Sequence, residues 1–288
     1  MTIDHSAWRV EFGRRLVERI STFEGVQAIV IGGSVARGYV DAYSDLELPI
    51  FWDRTPGDET RLGVVAAIGG RFLYEYNGPA MEDQLLINGF QVDLQHQVTA
   101  REEAVIEDVL QGLTTDLGDS NFLDTIRTCI PLYGQEIIQA WKQRALLYPE
   151  QLAIKIIREQ ISNLEWNHLP LSAHRENPSM FYADIVKIQQ TLFLILLALN
   201  KEYFPTYKWM YRSFEDMKIK PDSIEGRFRR MFAQPYERAA AEARQVVSET
   251  LGLIERQFPS VDTATARRRL AYVRAAHPGP VEFSASNR

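Results

Sequence analysis

One run constrains the first third of the chain more than any other: Val26-Gln27-Ala28-Ile29-Val30-Ile31, followed directly by Gly32-Gly33-Ser34. A stretch so dense in branched apolar residues reads as a buried strand. The two glycines at its end remove the Cβ atoms that would keep the backbone from turning sharply or from lying close to a ligand. Ser34-Val35-Ala36-Arg37-Gly38 then reads as the opening of a short helix. A strand that passes through a glycine turn into a helix leaves the first helical N–H groups unpaired, and these suit an anion such as phosphate.

The neighbouring segments extend this into an α/β pattern. Trp8, Phe12, Leu16 and Ile20 line one face of a helix over 6–22. Residues 46–52 predict a second strand, and Pro49 within it predicts an edge, a bulge or a strand end. A helix is expected over 57–69 and a third strand over 72–76. Residues 84–97 predict a hairpin, because Asn88-Gly89 is the preferred pair for a type I′ turn. A mixed sheet of about five strands follows from this.

After Thr99 the periodicity turns helical, with helices expected over 100–112, 121–129, 135–146, 150–168, 179–202 and 236–257. Pro170, Pro178, Pro205 and Pro221 punctuate this part. The expected fold class is thus α/β (α+β), with an N-terminal domain over 1–125 and an all-helical domain over 126–288. The last ten residues are expected to be mobile.

Composition narrows the function classes. At 45% hydrophobic and 24% charged residues over 288 positions, the chain can bury an ordinary core. The one cysteine, Cys129, excludes an intramolecular disulfide framework and a multi-cysteine zinc site. A formal charge of −6 argues against a nucleic-acid partner. The polar N-terminus predicts no signal segment. The apolar run 191–200, closed by Lys187 and Lys201, is about half of a roughly 20-residue span and predicts a core helix, so no membrane partner is expected. A cytoplasmic location is expected.

The chemistry concentrates in Ser44-Asp45-Leu46-Glu47-Leu48, just after the glycine turn. Asp45 and Glu47 are two apart on a strand, so both carboxylates leave one face. Side by side they would repel unless a cation sits between them, and Mg²⁺, which takes one or two carboxylates with phosphate oxygens and waters, fits that demand. Asp93, between Val92 and Leu94, can join them if its strand lies beside the second one. Ser34 and Arg37 could contact the same phosphate, and aromatic and lysine groups at Lys187, Tyr203, Lys208 and Trp209 could reach a nucleotide or an acceptor.

Gly33-Ser34, Ser44-Asp45-Leu46-Glu47 and Val92-Asp93-Leu94 together resemble the signature of the DNA polymerase β-like nucleotidyltransferase superfamily. The layout is similar to the small bacterial aminoglycoside and lincosamide nucleotidyltransferases, and Tyr203-Phe204-Pro205 with Lys208-Trp209 resembles a branch of unknown function. The resemblance implies a polymerase β-like mixed sheet followed by a helical domain. It implies one or two Mg²⁺ ions on Asp45, Glu47 and Asp93, and ATP or another nucleoside triphosphate held by Gly33 and Ser34, with Arg37, Lys187 and Lys208 as further candidates. The nucleotide is expected between the domains. The nucleoside monophosphate would pass to a hydroxyl of a small acceptor, an antibiotic being one case, and pyrophosphate would leave. A homodimer is allowed. Glu47 stands where aspartate is commoner, and Pro49 follows closely.

Two other functions stay open: transfer to a protein or tRNA, and a non-catalytic nucleotide-binding module. Plainer readings also stand beside several residues. Arg37 could pair with Asp41 on the surface, Glu82 and Asp83 read as a solvated turn, and His96 reads as a satisfied histidine facing away from Asp93. Arg267-Arg268-Arg269 reads as a solvated helix face.

Overall fold

The computed structural model describes residues 4–164, 168–277 and 279. The chain forms two compact units, 1–152 with 201–206, and 153–200 with 207–288.

In the first unit, helix α1 (His5–Ile20) precedes strand β1 (Val26–Ile31), helix α2 (Gly33–Arg37), strand β2 (Leu46–Trp52) and helix α3 (Asp58–Ala67). Strands β3 (Arg71–Phe72), β4 (Glu82–Ile87) and β5 (Phe90–Val98) follow, then helices α4 (Thr99–Leu110) and α5 (Leu117–Thr128), strand β6 (Ile130–Tyr133) and helix α6 (Gln135–Ala145). The sheet has six strands in the order β3-β4-β5-β2-β1-β6. Its β2–β5 pair is parallel, and the other neighbours are antiparallel. Asn88 and Gly89 both have positive φ, 52° and 83°, as a type I′ turn between β4 and β5 requires.

Three expectations change. The sheet gains β6, a four-residue run whose Pro131 is tolerated because β6 is an edge strand. The strand expected over 72–76 shrinks to Arg71–Phe72. Pro49 lies in a central strand, not an edge. The Glu47 carbonyl accepts from Gly32 N–H, so odd positions of β2 turn their backbone groups toward β1. The β1 register ends at Ile50, and the missing N–H of Pro49 therefore interrupts no ladder bond.

One sheet face is apolar. Leu46, Leu48, Ile50, Leu85, Val92 and Leu94 pack with Leu16, Val17 and Ile20 of α1 and Val64 and Val65 of α3. A buried polar network crosses this face. The Trp52 indole N–H donates to His96 Nδ1 at 3.1 Å, which leaves the proton on Nε2 to donate to Asp83 at 2.8 Å. Arg61 holds the same carboxylate through Nε at 3.2 Å and an NH2 nitrogen at 2.6 Å. Burial alone would raise the Asp83 pKa, but the hydrogen bonds from His96 and Arg61 outweigh it and hold the carboxyl below its usual range. Asp83 is therefore not in a solvated turn, whereas His96 is satisfied and turned away from Asp93. On the opposite face, Phe51 meets Trp141 of α6 edge-on at 5.0 Å.

The boundary expected at 125/126 falls inside α5, which packs beside α4 and α6, so the first unit continues to Leu152. The 201–206 segment returns to this unit: Asn121 donates to the Phe204 carbonyl at 3.0 Å and the Phe204 N–H donates to Ser120 Oγ at 3.0 Å.

The second unit is helical: α7 (Glu150–Asn163, which begins in the first unit), α8 (Leu169–His174), α9 (Pro178–Asn200), α10 (Met210–Asp216), α11 (Ile224–Arg230), α12 (Tyr236–Gln257) and α13 (Ala264–Ala271). Helix α9 has 23 residues and is long and apolar enough by composition to cross a membrane, but 67% of its most apolar 18-residue stretch is buried inside the structure. Phe214 packs edge-on to Phe193 and Phe228, both at 5.5 Å. The α7 expectation over 164–168 falls partly, and that for the final ten residues almost wholly, outside the described residues.

Asp83→Asn leaves the buried Arg61 guanidinium without its counter-charge and is expected to destabilise the protein by about 3–5 kcal/mol in urea unfolding at pH 7. The contribution of a depressed carboxyl is present above its unfolded pKa and is lost as pH falls through the folded one. The gap between wild type and variant should therefore narrow as pH falls below the unfolded carboxyl value of about 3.9.

Candidate active site

The parallel register sets Glu47 directly opposite Asp93. Paired positions on adjacent strands share a face and lie about 4.8 Å apart. The alternate residues Leu46, Leu48, Val92 and Leu94 are fully buried on the other side, so Glu47 and Asp93 both leave the face that carries Phe51. Asp45 precedes Glu47 by two residues, and its charge is felt at Asp93. Asp93 is only 6% exposed. Burial pushes its carboxyl up to about 6, the Gln91 amide opposes this, and the charges of Asp45 and Glu82 add to it.

The glycine turn adjoins the same carboxylates. Gly32 N–H donates to the Glu47 carbonyl at 3.1 Å, joining the turn to β2. Gly33 has φ +58°, and a Cβ there would overlap the Glu47 carboxylate. Glycine thus serves both the left-handed backbone and the close approach of a charged side chain. Ser34 is buried. Helix α2 has five residues and ends at Gly38, itself left-handed, so an anion here would depend on turn N–H groups more than on a helix dipole.

The sequence left Arg37 open between a phosphate and Asp41, and the structure gives it a different partner. Its side chain is buried in an ion pair with Asp124 of α5, whose carboxyl burial pushes up to about 6 despite the guanidinium. Asp41 closes its own turn by accepting from Tyr43 N–H at 2.8 Å and from Ser44 Oγ at 3.1 Å.

Arg9 was not singled out from sequence. Its guanidinium, buried and 4.3 Å from the Trp8 ring, donates twice to the Ser44 carbonyl at 3.0 and 2.6 Å, anchoring the residue before Asp45. A lone arginine in an amphipathic helix gives no sign of this. Gln91 was also missed: its amide nitrogen lies 3.1 and 3.3 Å from the two Asp93 oxygens. The alternation Gln91-Val92-Asp93-Leu94-Gln95-His96-Gln97 was the available signal, since it puts three glutamines on the aspartate's face. Gln84 stands opposite Asp93 on β4. It also lines a cavity of about 280 Å³ with Phe72, Tyr74, Glu75, Asn77 and Glu82. Lys187 and Lys208 belong to the second unit, Lys187 on α9 and Lys208 in a turn with its ammonium 5.2 Å from the Trp209 ring.

The donor set suits a hard divalent cation. Glu47 and Asp93 offer carboxylate oxygens from one face, whereas Asp45 precedes the first residue of β2, so strand alternation does not place it with them as the sequence suggested. Among the described residues, no group of three or more His, Cys, Asp or Glu side chains forms a ready metal cage. Mg²⁺ does not require one, since it is bound by one or two carboxylates with waters and substrate phosphates completing the shell.

A family model described as a domain of unknown function, DUF4037, matches residues 126–210, less than a third of the chain. No curated protein matches the chain. A solved structure described as a nucleotidyltransferase-like protein from Exiguobacterium sibiricum 255-15 is 10% identical, covers 90% of this chain and 91% of its own, and has a TM-score of 0.35.

Gly33→Ala is expected to destabilise the protein by roughly 2–3 kcal/mol, since left-handed backbone strain adds to the displacement of Glu47. Gly38→Ala, at φ +72° with nothing within 4 Å of the added Cβ, should show only the backbone part, about 1 kcal/mol. Urea unfolding of both variants checks the difference.

Proposed function

We propose that the first unit is a metal-dependent nucleotidyltransferase, which moves a nucleoside monophosphate, AMP from ATP being the first candidate, to a hydroxyl of a small acceptor. The observation that carries the reading is the pairing of Glu47 with Asp93 on parallel strands, with Gly33 packed against the Glu47 carboxylate.

Backbone N–H groups of the Gly33-Ser34 turn would bind the phosphates of the donor. Asp45, Glu47 and Asp93 would hold Mg²⁺, which when bound supplies positive charge to the phosphoryl oxygens. The acceptor oxygen forms a bond to the α-phosphorus, the bond to the β-phosphate oxygen breaks, and pyrophosphate leaves. The hydroxyl proton passes to the Asp93 carboxylate, which stands opposite Glu47 on the same face. The sheet holds Glu47 and Asp93 in register, so that most of the rate gain comes from positioning.

The cavity beside Gln84 is where we place the acceptor. Its lining of aromatic, amide and carboxylate side chains contains no lysine or arginine, which suits a hydroxylated molecule better than an anion. An antibiotic is one molecule of that class.

Purified protein with each of the four nucleoside triphosphates, Mg²⁺ and a panel of hydroxylated small molecules is expected to release pyrophosphate and yield an acceptor heavier by one nucleoside monophosphate in mass spectra. Asp93→Asn should lower kcat by about 10²–10⁴-fold. The same variant should melt no lower than wild type, because it removes a buried charge that lacks a cationic partner side chain. Wild-type protein that binds no metal–nucleotide and releases no pyrophosphate would refute the reading.

A further inference from the structure

Three aspartates of the described chain are buried: Asp83, Asp93 and Asp124. Two of them meet a guanidinium, Asp83 that of Arg61 and Asp124 that of Arg37. Asp93 differs, because its hydrogen-bond donor is the neutral amide of Gln91, at 3.1 Å from one oxygen and 3.3 Å from the other. Buried carboxylates are ordinarily paired with a cation or neutralised. An amide supplies alignment without supplying charge.

We infer that Gln91 is a positioning residue that holds the Asp93 carboxylate in the orientation needed by a divalent cation while leaving its negative charge for that cation. A carboxylate has about four lone-pair positions on its two oxygens. The Gln91 nitrogen, placed between the two oxygens, fixes the plane of the group and occupies about one position on each. One position per oxygen is left, enough for a metal bond. An arginine in place of Gln91 would align the group equally well but would answer its charge, as Arg37 answers that of Asp124. Gln91 and Asp93 are two apart on β5, so strand alternation puts both on the face that carries Glu47. Gln84, the cross-strand neighbour of Asp93, donates instead to Glu82 at 3.2 Å and does not share this role.

This inference rests on the metal-dependent reading of the site, and its test separates the two. Mn²⁺ serves as the probe, with its free and bound forms counted by electron paramagnetic resonance in the full-length protein without nucleotide. Wild type, Gln91→Leu, Gln91→Ala and Asp93→Asn are compared, each with its melting temperature. Loss of an outer residue that orients a metal ligand typically lowers affinity by about 10–100-fold. That loss is expected in both Gln91 variants, with a smaller change in melting than a fully buried residue would give, because Gln91 is only partly buried. Wild-type affinity in both Gln91 variants, alongside weakened binding in Asp93→Asn, would overturn the role of Gln91 and leave the metal site standing. Equal Mn²⁺ binding, or none, by wild type and Asp93→Asn would overturn the metal site and this inference with it.

Discussion

The parallel pairing of β2 with β5 is the constraint from which the first unit takes its order. Its register runs from Leu46 opposite Val92 to Trp52 opposite Val98 without a break. A slip of either strand by one residue would send its own acid, Glu47 or Asp93, into the apolar layer beneath α1 and α3 and bring its apolar residues to the opposite face. Burial of Leu46, Leu48, Val92 and Leu94 therefore fixes where the acids stand. At about 25 cal/mol per Å² of apolar area, such side chains supply far more free energy than the repulsion between nearby carboxylates takes away.

Two polar devices reinforce that register. The Trp52–His96–Asp83–Arg61 chain links β2, β5, β4 and α3 under the sheet. It is fully partnered, which is the condition for a buried polar network to specify one packing instead of weakening it. Above, Arg9 fastens the Ser44 carbonyl, and Gly32 fastens the Glu47 carbonyl. The backbone is thus gripped on both sides of Asp45.

Much of this was legible before the coordinates. The alternation in 91–97, the Asn88-Gly89 turn and the strand–glycine–serine run all act over a few residues, where backbone sterics and side-chain periodicity dominate. What escaped depends on distant partners. Asp83 reads as a solvated acid because Arg61 lies 22 residues away, and Arg37 looks free because Asp124 is on a helix much later in the chain. Pro49 points to an edge by local rules, and only the early end of the β1 register makes a central place acceptable. Strand β6 is too short and too proline-marked for pattern alone, and its pairing with β1 supplies what its sequence lacks.

The way the unit partners its buried acids separates structural from chemical roles. Where stability is at stake, at Asp83 and Asp124, a guanidinium is brought in and the charge is answered inside the protein. At Asp93 the chain places carboxylates on one side, glutamines on the others, and lets burial raise the pKa. Such an arrangement is unfavourable for folding, and it persists only because the core beneath is strong enough to carry it. The carboxylate that burial disfavours stands on the same face as Glu47, at the glycine turn. That coincidence, and not the presence of acids as such, is the physical reason to look for chemistry on this face of the sheet.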